Sequence, residues 1–236
     1  MAGWTKTALA AGVLLVASGC GGGGDGDSFA GKPVKDITTA ASADMKDLKS
    51  LRISGDLTTS GQDLHIDMQS TTDGDCQGSV KIDDGTAEIV SSGGTYWMRP
   101  DHAFWQQQAP DQSKLIEQAI GDKWVTVPSN SGLDEVCDLD NFLKSFNDAS
   151  TDDPSASPSN AGSEQVDGQD AVKISGKSDG QQLAAWVATG DKHYILKIEV
   201  GGDGDGGTLS FSDFDEPFDV KTPDPSDVAD LSSVGG

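Results

Sequence analysis

Two hydrophobic rhythms divide the chain. Val34, Ile37, Ala41, Met45 and Leu48 recur at spacings of three and four. That spacing predicts a helix over Pro33–Leu51 with one apolar stripe, and Pro33 suits a first helical turn. From about Leu51 to Arg99 the period becomes two: Leu51, Ile53 and Leu57, then Leu64, Ile66 and Met68, then Val80 and Ile82, Ala87 and Ile89, and Tyr96 and Met98. Ser60-Gly61, Asp73-Gly74, Asp84-Gly85 and Gly93-Gly94 punctuate these runs. Short strands joined by tight turns predict an antiparallel meander with one face packed and one face wet.

The second half repeats the plan. Phe104–Gln108 and Lys123–Val127 are short apolar-aromatic pieces around a helical pattern at Asp111–Ile120. Asp138–Phe146 carries a helical stripe of Leu139, Phe142, Leu143 and Phe146. Residues 150–168 are low-complexity and acidic, and read as a mobile surface loop. Strand patterns resume at Ala171–Ser175, Gln182–Ala188, His193–Val200 and Thr208–Phe214, with glycine-rich turns between them. Residues 229–236 form a polar tail.

The N-terminus has a different logic. Ala8–Ala17 is an apolar run too short to span a bilayer as a mature helix. It ends in Leu14-Leu-Val-Ala-Ser-Gly-Cys20. A small residue followed by cysteine at the end of such a run is where a lipoprotein signal peptide is cut and the cysteine acylated. Residues 1–19 are then expected to be removed and Cys20 to carry the lipid anchor; secretion without lipid is the alternative. Gly21–Lys32 has almost nothing to bury and reads, with Cys20, as a flexible tether. Residues 33–228 are expected to make one domain.

Charge and chemistry narrow the function further. The 236 residues contain 16 Lys and Arg against 39 Asp and Glu, a net charge of −23. Such a chain repels phosphate backbones, so nucleic acid is excluded as a partner. Of three cysteines, Cys20 belongs to the anchor. The remaining pair, Cys76 and Cys137, points to one disulfide in an exported protein, with two buried thiols as the alternative.

No catalytic or metal constellation emerges. Ala171–Ser178 fits a loose phosphate-loop pattern, but a turn follows it where a helix is required. Gly201–Gly207 offers aspartates for calcium, yet reads better as a hairpin turn. His65, His102 and His193 are isolated. No cofactor, no metal and no enzymatic activity are expected.

The residues Asp167-Gly-Gln-Asp-Ala-Val-Lys-Ile174, Ala184-Ala-Trp-Val-Ala188, His193-Tyr-Ile-Leu-Lys-Ile-Glu-Val200 and Leu209-Ser-Phe-Ser-Asp-Phe-Asp-Glu-Pro-Phe-Asp-Val220 resemble the LppX/LprG-type lipoproteins of actinobacteria. The helix, meander and Thr95-Tyr-Trp-Met98 strand of the first half fit as well. The resemblance implies an α+β, LolA-like fold: a curved antiparallel half-barrel sheet with helices packed across its concave face. It also implies a lipid or glycolipid ligand held between sheet and helices. Inward positions Ile53, Ile66, Val80, Ile89, Met98, Ile174, Leu196 and Ile198, with Phe142 and Phe146 from the helix, would line that cavity. The expected protein is a monomer on the extracytoplasmic face of the cell membrane, held there by its lipid. An envelope sensor that binds a protein partner and carries no lipid is the alternative.

Overall fold

A computed structural model describes residues 28–128, 133, 137–144, 158–178, 181–202 and 205–229. The first helix, α1 (Val34–Lys46), buries Ile37, Ala41 and Met45, the stripe its spacing predicts. Pro33 stands just before it at the N-cap. Strands β1 (Ser50–Thr59), β2 (Gln62–Thr71), β3 (Cys76–Ile82), β4 (Gly85–Ser92) and β5 (Thr95–Pro100) form the meander. Its hairpins close through residues at positive φ, among them Ser60 and Gly61 (54° and 77°) and Gly93 and Gly94 (58° and 78°). That is the turn whose twist matches the flanking strands.

Two short helices follow, α2 (His102–Gln108) and α3 (Ser113–Ile120), then β6 (Trp124–Val127). The Asp101 carboxylate accepts the Phe104 N–H at 2.8 Å and so caps α2. The apolar-aromatic run Phe104–Gln108 is therefore helical. Helix α4 (residues 139–144) starts where the Asp138 side chain accepts the Asn141 N–H. Strands β7 (Ser159–Val166), β8 (Gln169–Ser178), β9 (Gln181–Ala188), β10 (Ile195–Gly201), β11 (Gly206–Ser212) and β12 (Val228–Ala229) complete the chain.

All twelve strands join one sheet in the order β12-β6-β5-β4-β3-β2-β1-β11-β10-β9-β8-β7. The sheet is curved and does not close. Every pairing is antiparallel except β12 with β6. The contact that unites the two halves is β1 with β11, which sets Ile53 beside Phe211 and Leu57 beside Gly207.

On the inner side of a bent sheet, strands crowd one another. A Cβ on Gly78 would lie 2.1 Å from the Asp67 carbonyl oxygen, and its φ of 157° also excludes other residues. Gly207 is in the same position against Asp56, with a φ of 145°. These glycines allow the curvature.

Part of the acidic segment 150–168 is not a loop: 159–166 is the edge strand β7, paired along β8 through a turn at Asp167-Gly168. Its residues are polar because an edge strand of this kind faces water, so no apolar period marks it. The rest of that segment, 150–157, lies outside the described residues.

Candidate functional site: the apolar face of the sheet

The pleat sorts the side chains into two faces, and register turns the inner face into lanes. One lane runs Phe211, Ile53, Met68, Gly78, Ile89, Met98, Val125 across seven strands. The next runs Leu209, Gly55, Ile66, Val80, Ala87, Pro100. A third sets Leu57, Leu64 and Ile82 together. None of these positions is ionisable, so these lanes offer apolar surface for burial.

The helices cover the face unevenly. Helices α1 and α4 lie over β1 and β8–β11. Ile37, Ala41, Met45, Leu48, Leu139 and Leu143 pack there against Leu51, Ile53, Val172, Ile174, Val187, Ile195, Ile198 and Phe211, with Phe142 at the margin. Ile37, Leu48 and Leu139 are fully buried. Hydrogen bonds fix α1 in place. The Asp44 carboxylate accepts the His193 N–H at 2.8 Å and the Lys192 ammonium at 3.0 Å. Burial alone would raise the Asp44 pKa, but these two partners outweigh it and hold the carboxyl below its ordinary 3.8. Burial, reinforced by Asp215, raises the Tyr194 hydroxyl nearby.

Towards the β1–β2 turn, on β1–β3, the same face is less covered. Met68 and Ile89 are buried with Cys76 and Cys137. Leu57, Leu64, Ile66, Val80 and Ile82 are each only half-buried. Cys76 and Cys137 are disulfide-bonded, with Cα atoms 5.2 Å apart, so the start of β3 is pinned to the entry of α4. At the far end Ile116 and Ile120 of α3 pack on Val125, with Met98 and Trp105 beside them. The Trp105 indole N–H is buried and has no hydrogen-bond partner among the described residues.

The predicted lining residues therefore separate. Ile66, Val80, Ile89 and Met98 come together on the less covered half. Ile53, Ile174, Ile198 and Phe142 lie under or beside the helices of the sealed half. Leu196 departs from the prediction. A β-bulge between Ile195 and Lys197 adds a residue to β10 and turns Leu196 to the opposite face, where it packs with Val166, Ala171, Trp186 and Ala188. Phe146 and Cys20 lie outside the described residues. Period-two reading missed α2, and with it Trp105 and Phe104. The Asp101 cap three residues before Phe104 was the available signal.

The histidines stay apart. His65 pairs with Asp56 at 2.9 Å, His102 with Glu117, and His193 stacks on Phe29. Among the described residues, no three His, Cys, Asp or Glu side chains gather as a metal site would require.

A curved, unclosed antiparallel sheet with helices across one apolar face defines the LolA-like α+β class. In structure the chain is similar to LprF from Mycobacterium bovis, with a TM-score of 0.58 at 14% identity, over 80% of this chain and 96% of that one. It is also similar to the lipoprotein LppX from Mycobacterium tuberculosis, with a TM-score of 0.52 at 14% identity, over 79% and 97% of the two chains. No protein-family model matches the sequence, and no curated protein does. What is shared with LprF and LppX is the fold.

Proposed function

We propose that this chain is a lipid-anchored, extracytoplasmic binding protein that holds a lipid or glycolipid against the inner face of β1–β5 and performs no catalysis. The observation that carries the reading is the half-buried apolar set Leu57, Leu64, Ile66, Val80 and Ile82, on a face whose other half is sealed by its own helices. Apolar area of this kind favours an apolar occupant, at about 25 cal/mol for each Å² removed from water. The buried indole N–H of Trp105 supplies a donor that an ester or hydroxyl oxygen at the polar end of such an occupant would satisfy.

The address comes from the N-terminus. Removal of residues 1–19 and acylation of Cys20 would leave a tether shorter than the expected 20–32. Phe29–Gly31 form a 3-10 turn that packs on the domain, with Phe29 stacked on His193 and the Ala30 carbonyl accepting from the Asn160 amide. The working domain that follows would be held at the outer surface of the cell membrane. No described helix is long and apolar enough to cross a membrane. A monomer suffices for this role.

Lipid extraction and mass spectrometry of protein gently released from membranes tests the binding reading. Stoichiometric lipid is expected in the wild type and absent from Ile66→Asp and Val80→Asp variants whose melting temperature is retained. Wild-type protein that arrives without lipid and takes none up from mixed vesicles would refute it. Cys20→Ala tests the anchor separately, and its expected outcome is release into the medium.

A further inference from the structure

The wet face of the sheet carries a depression of its own. After β11 the chain does not stop at the sheet's centre. Residues 213–227 lead to β12 at the far edge, and Asp213 and Lys221 lie against Arg52, Gln69 and Glu88 on the face opposite the helices. The crossing is tied down at both ends. The Asp215 carboxylate accepts the Lys49 N–H at 2.7 Å, and the Glu216 carbonyl accepts the Ser50 hydroxyl at 2.7 Å. Asp213 takes a long bond from Gln69 and lies 3.9 Å from Arg52. At the other end the Lys123 ammonium donates to the Ser226 carbonyl, and Val228 pairs with Trp124.

Between this strap and the sheet lies an open, polar depression of about 440 Å³. Gln69, Gln77, Ser79 and Val90 of the sheet line it together with Trp124 and with Lys221 of the strap. The ionisable groups cancel: Arg52 and Lys221 face Asp67 and Glu88. Arg52 is already engaged by Asp67 in a bidentate pair at 2.9 and 2.8 Å, which raises its pKa further. Glu88 is paired with Arg99, whose guanidinium lies 4.8 Å from the Trp124 ring centre.

The geometry points to this depression as a binding site for a neutral glycan. A sugar ring presents hydroxyls that both donate and accept, and a C–H face that stacks on an aromatic ring. The amides of Gln69 and Gln77 and the Ser79 hydroxyl match the hydroxyls in both senses, and the Asp67 and Glu88 carboxylates accept from them. Trp124 supplies the ring. An anionic ligand fits poorly, because the depression carries no net positive charge in a protein of net charge −23. The sheet itself separates this site from the apolar face, so the two can be occupied independently.

Calorimetric titration of the full chain with maltotetraose, mannotetraose and galactotetraose, and with tetragalacturonate as the anionic comparison, tests the assignment. Saturable binding of at least one neutral tetrasaccharide is expected. Trp124→Ala and Gln77→Ala should each weaken it about tenfold or more, as loss of a stacked ring or a hydrogen-bonding amide does. Ile66→Asp, on the other face, should leave it unchanged. Gln77→Ala changes only a polar side chain on the wet face, so it reports even if Trp124→Ala fails to fold. Absence of binding by every neutral sugar, stronger binding of tetragalacturonate, or full affinity in the Gln77→Ala variant would overturn the assignment.

Discussion

The two halves of the sheet share one apolar inner face and differ in what covers it. Over β1 and β8–β11, α1 and α4 bring Ile37, Leu48, Leu139 and Leu143 into a closed core. On β1–β3, Leu57, Leu64, Ile66, Val80 and Ile82 stay half-buried, beside a helical hairpin whose α2 packs on β4 and whose α3 packs on Val125 of β6. The first half behaves as a foundation, because its apolar area is already removed from water. The second keeps apolar area in reserve, which is what a binding face requires and a core does not.

Four measurements would break or sharpen that contrast. The largest effect is expected at the seam. The Cys76–Cys137 bridge spans 61 residues, and a loop of this length corresponds to roughly 4 kcal/mol of stabilisation. Cys137→Ser should lower the urea midpoint accordingly, and a wild type under reductant should show the same loss. Next comes the foundation itself. Leu48 is fully buried, and Leu48→Ala should cost about 3 kcal/mol in denaturant unfolding.

Ile66→Ala, on the less covered half, should cost only about 1 kcal/mol, because less of its surface is desolvated in the folded protein. Its effect should appear instead as weaker lipid retention. Equal losses at Leu48 and Ile66 would erase the distinction between foundation and binding face. The smallest effect concerns the tie on α1. The Asp44 pKa is lowered in the folded state from its ordinary 3.8. Its stabilisation is therefore present above that value and is lost as pH falls through the folded pKa. Wild type and Asp44→Asn should differ in melting temperature at neutral pH and converge in acid.

Much of the fold was legible because its signals are local. Alternation of apolar and polar residues marked β1 to β5, and turn residues such as Ser60-Gly61 and Gly93-Gly94 marked their joints. The stripe of α1 was equally plain. Strand β7 was not legible, since an exposed edge strand of serine, glutamate and glutamine has no apolar period. Nor was the bulge at Leu196, where one extra residue in β10 reverses a facing that strict alternation would have assigned. Of the candidate lining residues, Ile66, Val80, Ile89 and Met98 could be placed on one face from their spacing alone. That Ile174 and Ile198 lie beneath helices could not.

By itself, then, the sequence determined α1 and the strands β1 to β5, the pairing of neighbours in that meander, the expected address at Cys20 and the even cysteine pair beyond it. These follow from steric and hydrophobic rules that act over a few residues. Only the tertiary structure decided that β1 meets β11, that α1 and α4 seal one half and leave the other half-buried, and that residues 213–227 strap the wet face. Those contacts join residues far apart in the chain, as in Lys49 with Asp215 at a separation of 166. No local pattern encodes such a meeting, because it depends on where the whole sheet bends and which apolar surfaces remain to be covered when it has done so.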